Sequence, residues 1–132
     1  MKTKKNVLVN TLLAVSILSF TAYAEDTFED RAVQACKAYK NYDYLTILNM
    51  GSKSHSKYEK MRIKRTYGGD KKEWLKAKKE QAIKNGQKPK DFVCSVTKTK
   101  GKSTKKVYMK KMFGKNNYKL SLKKIDKKWL LK

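Results

Sequence analysis

Hydrophobic positions along this 132-residue chain change their period twice. Residues 7–20 form a nearly unbroken apolar run, residues 28–84 repeat apolar side chains every three or four positions, and after Pro89 the spacing drops to two. The first run follows Lys2, Lys4 and Lys5 and leads into Ala22-Tyr23-Ala24, which sets small residues three and one positions before Glu25. That layout predicts a secretory signal peptide cut between Ala24 and Glu25. A spanning helix needs about 20 apolar residues; this run has 14 and includes Asn10 and Thr11. No cysteine follows the small residues, so a lipid anchor is not expected. The expectation is residues 1–24 as signal peptide and 25–132 as one exported α+β domain, periplasmic or secreted, with no transmembrane segment in the mature chain.

The middle region reads as helices. Asp26 or Thr27, with Glu29 or Asp30 three residues on, makes a capping box, and Phe28, Ala32, Cys36 and Tyr39 recur at helical spacing with Ala35 beside them. Asn41-Tyr42-Asp43 breaks that pattern. Asp43 then caps a short second helix, Tyr44 to Met50, stopped by Gly51. A polar stretch, Ser52 to Lys57, leads into a third helix carrying Tyr58, Met61 and Ile63 before Gly68-Gly69. Asp70 and Glu73 open a fourth that runs to about Asn85 and ends at Gly86, with Trp74, Leu75, Ala82 and Ile83 on its apolar face.

Beyond Pro89 the chain alternates as half-buried strands do. Phe92, Cys94 and Val96 share one face; Thr99 to Lys102 turn; Val107, Met109, Lys111 and Phe113 alternate with Tyr108, Lys110 and Met112. Gly114 to Asn117 is the expected second turn, Tyr118, Leu120 and Leu122 a third strand, and Ile125 to Lys128 a turn into Trp129–Leu131. The sum is N-terminal helices packed on a curved four-stranded antiparallel meander, one face apolar and the other lysine-rich.

Composition sharpens this picture. Cys36 and Cys94 are the only cysteines, and in an exported domain they are expected to form one structural disulfide. Two cysteines and a single histidine do not make a four-ligand zinc site, and no metal or cofactor is expected. After removal of residues 1–24 the chain carries 31 basic and 11 acidic side chains, net +20. The charge is uneven: residues 25–50 are net −2, residues 51–90 net +10 and residues 91–132 net +12. Nearly all of it is lysine, which builds a diffuse positive field, whereas bidentate readers of phosphate or bases favour arginine.

Two segments carry a resemblance. Tyr42-Asp43-Tyr44-Leu45-Thr46-Ile47-Leu48 is similar to the start of the second helix in the nuclear-transport-factor-two-like superfamily. Ile125-Asp126-Lys127-Lys128-Trp129-Leu130-Leu131 is similar to its final hairpin, without the usual glycine. With the order of elements, the chain resembles the small secreted branch of that superfamily. The resemblance implies a sheet wrapped around the first helix as a cone whose mouth holds a ligand; enzymatic members such as ketosteroid isomerase line that cone with Asp or His and Tyr.

The chain offers no such set. His55 lies in the polar stretch before the third helix, Asp43 and Asp126 serve a cap and a turn, and no inward strand position carries an acid. Gly101-Lys102-Ser103 lacks the glycine five residues earlier that a phosphate loop needs, since Val96 stands there. No catalytic residue is expected. Lys98, Lys100, Lys102, Lys105, Lys106, Lys110 and Lys111 are expected to face an anionic partner, because the first two strands and their turn concentrate seven positive charges without one acid. That predicts a non-enzymatic basic module attracting lipid head groups, an acidic glycan or an acidic protein. Alternatives are an inhibitor or immunity-type protein binder, or a small-ligand carrier. Aromatics interleaved with basic residues also suit single-stranded nucleic acid, but core spacing accounts for most of them and nucleic acid is not the expected partner.

Overall fold

The computed structural model describes residues 27–132; the expected signal peptide and its expected cleavage between Ala24 and Glu25 lie outside the described residues. Thr27 caps the first helix, α1 (Phe28–Lys40), and Thr27 and Asp30 bond each other's backbone N–H in a reciprocal box. The box satisfies two of the N–H groups that a helix start leaves open. Asp43 caps α2 (Tyr44–Met50), accepting from Thr46 N. Ser52 caps α3 (Lys53–Thr66), and Asp70 caps α4 (Lys71–Lys84), accepting from Lys72 N and Glu73 N. Pro89–Asp91 form one 3-10 turn.

Four strands follow: β1 (Val96–Lys100), β2 (Thr104–Met112), β3 (Lys115–Ile125) and β4 (Lys128–Leu131). They form one antiparallel sheet in sequence order. The fold is α+β, with the helices N-terminal to the sheet. α1 packs on the inner sheet face, where Ala32, Ala35 and Cys36 meet Val107, Met109, Met112, Leu122 and Leu131, all nearly or wholly buried. Small residues on α1 let the longer strand side chains approach the helix. The Cys36–Cys94 disulfide ties that helix to the segment just before β1, with the two Cα atoms 5.5 Å apart. A smaller cluster of Tyr44, Leu48, Ile63 and Trp74 joins α2, α3 and α4. At the far edge, Ser52 N donates to Leu131 O at 2.7 Å, anchoring the α2–α3 connection to β4.

The structure departs from the sequence pattern at five places. Phe92 and Cys94 face the core as expected, but the strand starts only at Val96, and its pairing with β2 shifts between Val96 and Lys98. Lys111 has φ +49, a left-handed conformation that reverses the alternation of β2, so Met112 enters the core and Lys111 is exposed. The β2–β3 turn is Phe113-Gly114, with φ +49 and +74, instead of Gly114 to Asn117. Two consecutive left-handed residues match the right-handed twist of a hairpin. Phe113 tolerates this unusual backbone because its ring packs against Phe92, Tyr118 and Tyr39 at centroid distances of 4.8, 4.8 and 5.1 Å.

The other two departures are helical. α3 begins at Lys53, so the expected polar stretch is its first turn, and its inward face is Ser56, Glu59 and Ile63 while Tyr58 is 71% exposed. α4 turns Trp74, Lys78 and Ala82 inward and leaves Ile83 57% exposed.

Candidate functional site

The register decides which lysines share a surface. On β2, Val107 and Met109 point into the core, so Lys106, Tyr108 and Lys110 point outward. Tyr108 pairs with Lys98 on β1 and Lys119 on β3; Lys106 pairs with Lys100 and Ser121; Thr104 pairs with Lys123. The outer face therefore holds Lys98, Lys100, Lys106, Lys110, Lys119 and Lys123, all exposed, around the half-buried Tyr108. Neighbouring strands lie roughly 4.8 Å apart and alternate residues about 6.8 Å apart, so Tyr108 has a lysine on each of four sides. Lys98 Nζ stands 4.7 Å from the Tyr108 ring centroid.

No strand contains an Asp or Glu; the only acid after Asp91 is Asp126, in the β3–β4 turn. Cations this close repel one another, and fixed carboxylates would normally be interspersed to relieve the repulsion. Here the field is left open to solvent. At the rim, Thr97 Oγ1 lies 3.2 Å from Tyr108 O and 3.1 Å from Asn117 Oδ1, its one O–H shared between the two acceptors, which fixes the irregular start of β1 against the face.

Of the seven lysines expected to face a partner, the sheet brings Lys98, Lys100, Lys106 and Lys110 onto one surface. Lys102 sits at the exposed β1–β2 turn. Lys105 lies on the inner side of β2, where its Nζ donates to Gly101 O at 2.9 Å and stands 5.1 Å from the Phe28 ring centroid. Lys111 lines a separate cleft of about 450 Å³ with Lys88, Asp91 and Lys115, beside the Phe113-Gly114 turn. Lys119 and Lys123 complete the face and were missed. The alternation of Leu120 and Leu122 carries the signal for them, since the strand residues directly before and after inward leucines must point out.

The histidine has a local role. His55, in the first turn of α3, places Nδ1 3.0 Å from the backbone oxygen of Lys132. Among the described residues no group of three His, Cys, Asp or Glu side chains is placed to hold a metal ion, and no helix is long and apolar enough to cross a membrane. Cys36 and Cys94 are joined to each other, and no cysteine is free among the described residues. Comparison of the chain with protein-family models, with curated proteins and with solved structures finds no match.

Proposed function

We propose that this chain is an exported, non-enzymatic binding module whose outer sheet face recognises an extended anionic surface or polymer. One observation carries the reading: six exposed lysines from three adjacent strands share the outer face, four of them flanking Tyr108, with no carboxylate in any strand. Such a face attracts by summed charge, and lysine's single ammonium imposes little geometric demand on the partner. The inner face is filled by α1 and by residues that are nearly or wholly buried, which favours recognition on the outside of the sheet. Export is part of the same proposal, supported by the leader pattern of residues 1–24 and by a disulfide of the kind that persists in oxidising compartments. Membership of the nuclear-transport-factor-two-like superfamily is also proposed, supported by helices that precede a four-stranded meander.

The test is binding to a sulfated polysaccharide and to vesicles containing an anionic lipid, each at low and at raised salt. Because screening shortens the reach of exposed charges to about 8 Å at physiological ionic strength, affinity should fall at least about tenfold on raising salt from roughly 20 to 300 mM. A variant with Lys98, Lys106, Lys110 and Lys119 changed to Glu should lose binding. One with Lys53, Lys57, Lys60 and Lys64 of α3 changed to Glu should keep most of it. Failure to bind either ligand at low salt, or equal loss in the two variants, refutes the reading.

A further inference from the structure

The helical half contains a site of the opposite preference. Between α1, α2, α3 and α4 lies an open cavity of about 280 Å³ whose lining includes Tyr39, Tyr44, His55, Tyr58 and Trp74, with Glu59 as its carboxylate. Glu59 is held in place: Oε2 accepts from Trp74 Nε1 at 2.7 Å, and Trp74 is 1% exposed. Its other oxygen lies 3.6 Å from Lys78 Nζ, and the same ammonium stands 5.5 Å from the Tyr44 ring centroid. An alkylammonium group thus already sits between a carboxylate and an aromatic face.

We propose that this cavity is a binding site for a small organic cation, seated where the Lys78 ammonium now stands. Aromatic faces attract cations through their ring quadrupoles, and quaternary ammonium groups are favoured because they are weakly hydrated. Lys78 is a displaceable occupant. The pair is partly exposed, with side-chain exposures of 27% and 24%; such pairs are worth only about 0–1 kcal/mol, and the lysine stem is long enough to swing into solvent. Glu59 cannot follow it, because the Trp74 indole holds the other oxygen. Tyr58, 71% exposed, adds an aromatic ring at the rim. The volume lies near the small end of ligand pockets, which are typically about 300–1,000 Å³, and suits a choline-sized molecule. This site shares no residue with the outer sheet face and stands or falls apart from it.

The experiment titrates the exported chain with choline chloride and follows the two tryptophan indole N–H signals by NMR. Trp74 should shift saturably while Trp129, in the sheet, does not. The neutral isostere 3,3-dimethylbutan-1-ol should bind at least about tenfold more weakly, because it lacks the charge the rings and carboxylate attract. Glu59→Gln keeps an acceptor for the Trp74 indole and should weaken choline about tenfold. Lys78→Met removes the internal competitor and should tighten it about threefold to fivefold, the equivalent of one partly exposed pair. The proposal is overturned by any of three results: no saturable Trp74 shift in either the wild type or Lys78→Met, equal shifts from the neutral isostere, or equal shifts from sodium chloride at matched ionic strength.

Discussion

Reducing the Cys36–Cys94 bond releases a crosslink between positions 58 apart in sequence, from the buried face of α1 to the segment ahead of β1. In the chain-entropy account, closing a loop of that length lowers the entropy of the unfolded chain by an amount worth about 4 kcal/mol at 25 °C. Little in the native state offsets that value. Cys36 is fully buried and Cys94 is packed against the same cluster, so reduction removes no buried side chain and opens no void. A domain of this length unfolds with an entropy of about 0.2 kcal/mol per kelvin, so the loss corresponds to a fall in Tm of roughly 15–20 °C. Scanning calorimetry of oxidised and reduced protein, with free thiols counted in each sample, measures the shift. A fully reduced protein whose Tm drops by less than about 5 °C would mean that α1 and the sheet hold together without the bond, and the reasoning would be wrong.

Two further outcomes follow from the packing. Met112→Ala, which empties a fully buried site, should destabilise by about 2–5 kcal/mol in urea unfolding, while Lys111→Ala should change stability by less than about 0.5 kcal/mol; the reverse order would show that β2 keeps regular alternation to its end. Burial pushes the Tyr39 hydroxyl from 10.0 up to about 12, with Tyr118 and then Tyr44 adding to the effect. The unfolded chain gives up that proton near pH 10 and the fold keeps it until about 12, so the contribution is whole below pH 10 and stability declines as pH climbs through that window. Tyr39→Phe should flatten this part of the decline, and superimposable curves for the two proteins contradict it.

The helix caps and most of the strand alternation could be read directly from residues. Thr27 with Asp30, Asp43 and Asp70 are polar side chains placed to accept from exposed N–H groups, and each does so. Phe92 and Cys94 announced their inward face, and with Cys36 on the apolar stripe of α1 the disulfide followed. The reversal at Lys111 was hidden because a non-glycine residue in the left-handed region leaves no mark in the pattern. The hairpin turn was hidden for a related reason: Asn116-Asn117 has turn chemistry, yet an aromatic cluster that assembles only in three dimensions holds Phe113 in the turn instead. Lys78 lies four residues from both Trp74 and Ala82, so its inward position was present in the spacing, but a lysine is ordinarily assigned to solvent. Its partner Glu59 comes from α3, and no local pattern links the two.

Backbone amide shifts recorded while a sulfated polysaccharide is titrated into the protein at low salt test the outer-face reading most directly. Saturable shifts are expected, centred on Tyr108 and spreading to Lys98, Lys106, Lys110 and Lys119, and reversed when salt is raised. Shifts confined to the helices, or spread evenly over all lysines without a centre on the sheet, would contradict it.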